Sequence, residues 1–188
     1  MTTADSPPVE STMNITQPDL DRRAATVSKE LQQRNRKLVC AESCTAGLIA
    51  ATLARVPGTS EWLCGSAVVY RFDTKVKWLD VERKALDDPG PVSSVVAEQM
   101  ATGVLRNTPE ADLSLSITGD FGPAAPPETD GIAWVGIAET TNGGSGMTVF
   151  AQRLELAQDS SEGEGTLRHR RHTEAVYRAL GLLLEHLS

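Results

Sequence analysis

Apolar residues recur along this chain with two alternating periods, one helical and one extended. Leu20, Ala24, Val27 and Leu31 are spaced by four, three and four residues, a single helical stripe that Pro18 opens. Lys37 to Ala41 is a short apolar run that predicts a buried strand. The chain turns at Glu42-Ser43-Cys44-Thr45, and the compact apolar segment from Ala46 to Leu53 predicts a buried helix ended by Pro57-Gly58. Cys64 to Tyr70, with Val68 and Val69, predicts a second central strand, and Asp73 to Leu79 a helix. Ser93 is placed to cap a helix whose inner face is Val96, Ala97, Met100, Ala101 and Val104. Leu113, Leu115 and Ile117 alternate with Ser114 and Ser116, the period of a strand. Gly131 to Ala138 and Met147 to Leu156 predict a hairpin around the loop Thr140 to Gly146. From Thr166 to the end, Val176, Leu180, Leu183, Leu184 and Leu187 share one face of a last helix.

Strands and helices alternate early and a hairpin follows. That order predicts an α/β fold of three layers, a mixed β-sheet covered by helices on both faces. The Pro-, Ser- and Thr-rich residues 1–16 read as a flexible tail, 17–188 as one domain, and the acidic stretch 158–165 as a mobile loop. A chain of 188 residues suffices for one core, and only 4% of it is aromatic, so Leu, Val, Ile and Ala must fill that core. A net charge of -7 disfavours nucleic acid as partner, because such binding needs a basic face. No apolar run reaches the roughly 18 residues of a membrane span, and the polar N-terminus lacks a signal-peptide core. Cys40, Cys44 and Cys64 are an odd, sparse set without zinc-ligand spacing, which reads as reduced thiols in a cytoplasmic protein.

Three segments carry candidate chemistry. Glu42 to Gly47 lies between a strand and a helix, where open α/β sheets bind ligands and helix N–H groups can hold an oxyanion. Ser43 would be presented there as a nucleophile, Thr45 would cap the helix, and Gly47 would allow close approach; plain helix capping explains the same residues. A serine needs a base. His169, His172 and His186 all lie in the last helix and are expected to face solvent. Lys75 is placed to serve instead if burial lowers its pKa, with Lys77 as a rival on another side of the helix. The third segment, Thr118 to Pro123, ends a strand and could orient a polar ligand group or be an ordinary turn.

These segments together resemble the CinA C-terminal-domain family. Ala41 to Leu48 is similar to its AESCTGGL signature, with Ala46 in place of a Gly. Val56 to Ser60 resembles VPGSS, Tyr70 to Lys75 the YSNEAK stretch, Ile117 to Pro123 the TGIAGP stretch, and Gly131 to Ala138 GTVWIGLA. The resemblance implies a deamidase that converts nicotinamide mononucleotide to the nicotinate nucleotide and ammonia, without metal or organic cofactor. It implies Ser43 as nucleophile, Lys75 as general base, Tyr70 as a supporting polar group, and Thr45, Gly47, Thr118 and Gly119 around the substrate. Backbone N–H groups of the 44–47 turn would hold the oxyanion. The expected partner is a small-molecule nucleotide, and a homo-oligomer is the default for such an enzyme. The chain departs from the family at Arg71-Phe72, Asp120-Phe121 and Ala124 to Pro127. Asp120 is expected to repel a phosphate, and Pro126 and Pro127 remove N–H donors. These departures leave two rivals: a binding or regulatory module, and an amidase for another small carboxamide.

Overall fold

The structure is a computed structural model that describes residues 15–141, 146–158 and 165–188. Most of the expected tail 1–16 and of the expected loop 158–165 lies outside these residues. In chain order the elements are α1 (Gln17–Gln33), β1 (Leu38–Glu42), α2 (Leu48–Leu53), a 3₁₀ turn (Thr59–Glu61), β2 (Leu63–Val68) and α3 (Phe72–Leu79). They continue with α4 (Arg83–Asp87), α5 (Ser94–Arg106), β3 (Leu113–Gly119), β4 (Ile132–Thr141), β5 (Gly146–Glu155) and α6 (Leu167–Leu187).

The five strands form one mixed sheet in the order β2-β1-β3-β4-β5. The first three run parallel, and β4 and β5 add as antiparallel neighbours. Helices α1, α2 and α6 cover one face, where Leu38, Cys40, Leu113, Leu115, Ile117, Val135 and Ile137 meet Ala24, Leu31, Val176 and Leu180. Helices α3, α4 and α5 cover the other, where Val39 and Ala41 meet Leu79, Val96 and Met100. This is the expected three-layer α/β architecture.

Several expectations are corrected. β2 pairs only with β1, so it is an edge strand rather than a central one, and its residues are half-buried up to exposed Val68. The apolar run 46–53 is helical only from Leu48, because Ala46 and Gly47 adopt left-handed φ of 50° and 96°. Glycine takes that conformation freely whereas alanine is strained, by roughly 1 kcal/mol. Thr140, Thr141 and Gly146 pair in the hairpin rather than in its loop. Ser114 and Ser116, the polar half of the β3 alternation, are fully buried and donate to the α5 carbonyls of Ala101 and Ala97 at 2.9 and 2.6 Å. The alternation separates two covered faces, not core from water. Gly136 permits this packing, since an added Cβ would stand 2.5 Å from the Ala97 carbonyl oxygen.

Candidate active site

The three parallel strands end together, and the turn after β1 stands at their carboxyl edge. Glu42 is level with Ile117 of β3 and with Val68 of β2. The Ser43 N–H donates to the Ile117 carbonyl at 3.0 Å, so the strand pairing extends one residue and fixes the Ser43 backbone. On the other flank, Val69 N–H donates to the Glu42 carbonyl at 2.8 Å. The chain then enters α3, whose fourth residue is Lys75.

Lys75 is 1% exposed. Its Nζ lies 2.9 Å from Ser43 Oγ and 2.7 Å from the Val69 carbonyl oxygen. No carboxylate faces it at ion-pair distance among the described residues. Burial therefore dominates, and it lowers the Lys75 pKa to about 8 from 10.5, against a smaller upward contribution from Cys44. Lys77, the rival, is exposed on the other side of α3. Burial pushes the neighbouring Cys44 thiol up to about 12, which leaves it protonated at neutral pH.

Glu42 has a role that the sequence reading did not give it. It is fully buried and accepts five hydrogen bonds: from the Thr45 and Ser66 hydroxyls and from the N–H groups of Gly47, Ile49 and Ala50, at 2.8–3.0 Å. A carboxylate thus replaces the missing carbonyls at the α2 N-terminus. The signal was an acid at a strand end shortly before a helix start. Glu42→Gln must turn its amide NH₂ toward the Ala50 N–H and Ser66, or toward the three donors on the other oxygen. The substitution is expected to cost about 2–3 kcal/mol, read as a lower urea midpoint; an unchanged midpoint would refute this role.

This network revises the expected substrate contacts. Thr45 is buried with its hydroxyl on Glu42, and Gly47 gives its N–H to the same carboxylate; both support the turn and neither borders the cavity. The Ala46 N–H donates to the Ser43 carbonyl. Of the 44–47 turn, then, only the Cys44 and Thr45 N–H groups make no bond to a backbone carbonyl or to Glu42, and of these two residues only Cys44 borders the cavity. The histidine expectation is also corrected: only His169 is exposed. His186 pairs with Glu139 at 2.8 Å. His172 is half-buried, edge-on to Phe121 at 5.4 Å, and its ring faces the Cys44 carbonyl.

A cavity of about 180 Å³ opens over the pair. Ser43, Cys44, Lys75, Thr118, Gly119, Asp120 and Phe121 border it, with Tyr70, Phe72 and Arg168 toward solvent. Thr118 turns its hydroxyl to the Pro91 carbonyl at 2.8 Å. Tyr70 is 53% exposed, and its hydroxyl accepts from Arg168 Nη2 at 3.1 Å. Arg168 Nη1 also donates to the Gly122 carbonyl at 2.6 Å. Arg168 was not among the expected residues. It lies 98 positions from Tyr70, and no local pattern signals a contact so distant in sequence. Behind it, buried Arg171 clamps Asp130 through two bonds of 2.6 and 3.0 Å, which ties the 120–131 segment to α6.

Fold and site together define a three-layer α/β protein with a buried serine–lysine pair at the carboxyl edge of a mixed sheet. The family model described as the CinA C-terminal domain matches residues 20–186, and the chain belongs to that family. A CinA-like protein of Desulfotalea psychrophila is 38% identical over 132 residues, covering 70% of this chain and 32% of that protein. One of Synechococcus elongatus is 38% identical over 125 residues, covering 65% and 30%. The chain thus spans about a third of the length of the curated relatives it matches. Among solved structures, a competence/damage inducible protein, CihA, of Agrobacterium tumefaciens superposes with a TM-score of 0.77 at 26% identity, over 92% of this chain and 98% of that one. A CinA superfamily protein of Escherichia coli gives 0.77 at 26% identity, over 93% and 95%. No described helix is long and apolar enough to cross a membrane.

Proposed function

We propose that the chain is an amidohydrolase that releases ammonia from the carboxamide of nicotinamide mononucleotide. The observation that carries this reading is the contact between buried Lys75 Nζ and Ser43 Oγ. A lysine with a pKa of about 8 is partly neutral near physiological pH, and its lone pair can accept the Ser43 proton. Ser43 Oγ then bonds to the carboxamide carbon. The carbonyl oxygen takes up negative charge at the Cys44 end of the turn, beside the nucleophile. Lys75 passes the proton to the departing nitrogen, the C–N bond breaks, and ammonia leaves. Water, losing a proton to Lys75, cleaves the ester to give the acid and restore Ser43.

Size and charge support the substrate class. The cavity is smaller than the roughly 300 Å³ of a pocket that encloses a whole drug-sized ligand. It suits a flat pyridine carboxamide whose ribose phosphate extends past Tyr70 to the Arg168 guanidinium, a group matched to phosphate. Arg168→Ala is expected to raise KM for the nucleotide about tenfold with little change in kcat. The phosphate-free nicotinamide riboside should respond far less; equal responses would remove the phosphate from Arg168.

The test is ammonia release from a panel containing the nucleotide, its riboside and unrelated small carboxamides. Release from the nucleotide is expected. Release only from another carboxamide would reassign the substrate, and binding without release would make the chain a binding module.

A further inference from the structure

Asp120 borders the cavity and takes part in no step of the acyl-transfer scheme. It and Arg168 are tied to opposite ends of one residue. Gly122 gives its N–H to Asp120 Oδ1 at 3.3 Å and receives Arg168 Nη1 on its carbonyl. Asp120 makes no ion pair among the described residues, and the two charges stay apart.

The strand register places Asp120. β1 and β3 run parallel with Glu42 level with Ile117, so Ser43 is level with Thr118. Asp120 stands two positions farther along, roughly 7 Å at ~3.3 Å per residue. The side chains of Ser43 and Asp120 take up part of that interval, and a pyridine ring whose carboxamide carbon is held at Ser43 fits in the remainder. In the nucleotide and the riboside, the ring nitrogen, meta to the carboxamide, is quaternary and positively charged; in an uncharged isostere it is not. A carboxylate in a partly water-excluded site discriminates strongly between those two rings.

We infer that Asp120 is a specificity-determining residue whose carboxylate faces the ring nitrogen and selects pyridinium carboxamides over neutral ones. The inference rests on the amidase reading above. It also reassigns the charge that the sequence set against the phosphate. The guanidinium at the mouth takes the phosphate end, and the carboxylate lies beside the nucleophile's strand.

Calorimetry on the full chain carrying Ser43→Ala tests this without turnover. Its ligands are nicotinamide riboside and the isosteric benzamide C-riboside, which has carbon in place of the charged nitrogen. The cation should bind tighter by roughly tenfold or more. Adding Asp120→Asn, which keeps an acceptor for the Gly122 N–H, should bring the two dissociation constants close together. An unchanged ratio would overturn the inference, as would an Asp120→Asn variant that tightens the nucleotide and leaves the riboside alone, since that is the signature of phosphate repulsion. If neither riboside binds and the wild-type chain frees no ammonia from the nucleotide, the amidase reading has failed and this inference fails with it. Ammonia release alongside equal affinities would sink the Asp120 inference alone.

Discussion

Ser43→Ala lowers kcat for ammonia release by at least about a thousandfold, the loss that follows removal of a covalent nucleophile. The effect should be confined to chemistry. The Ser43 N–H still donates to Ile117, and Lys75 keeps its bond to the Val69 carbonyl. Glu42 keeps all five of its donors, three of them N–H groups at the α2 N-terminus, and none is the lost hydroxyl. Thermal unfolding should therefore move little. Steady-state kinetics decides the matter: retention of more than about a tenth of wild-type turnover is incompatible with an acyl-enzyme. Cys44 cannot substitute as nucleophile, because burial holds its thiol near 12.

The second large effect belongs to Lys75. Its folded pKa is depressed, chiefly by burial, so the neutral base becomes more abundant as pH rises. Turnover should climb with pH up to about 8 and level off above it. Lys75→Arg should be as inactive as Lys75→Ala, because a guanidinium stays protonated throughout this range. Lys77→Ala should be nearly silent, as its side chain is exposed on the far side of α3. A rate that is flat across the titration, or a Lys77 variant that fails while Lys75→Ala works, would show that this amine is not the base.

The elements were legible where local periodicity decides them. Leu113, Leu115 and Ile117 announce β3, Ser93 and Thr166 cap α5 and α6 with their side chains, and the stripe from Leu20 to Leu31 is α1. The same patterns could not rank the strands, because the edge place of β2 depends on what fails to pair with it. Nor could they reveal that Ser114 and Ser116 lie under α5, since a buried serine bonded to a helix carbonyl looks like a solvent-facing one. At the site, Ser43 and Lys75 were readable as reactive types flanking successive strand ends, 32 residues apart. Glu42 passed as part of a turn because three of its five bonds come from backbone N–H groups without chemical identity in the sequence, and a fourth from Ser66, 24 positions away. His172 and Arg168 reach the site from α6, and only the packing of that helix against the 120–131 segment brings them there.

The central claim is that this Ser43–Lys75 pair hydrolyses a nucleotide carboxamide, and one measurement tests it most directly. The full chain is incubated with nicotinamide mononucleotide at about pH 9, where Lys75 is neutral, and both products are counted against the enzyme present. The account predicts ammonia and nicotinate mononucleotide in equal amounts, far exceeding the enzyme, with both lost in Ser43→Ala. Nucleotide bound but recovered unchanged would contradict it.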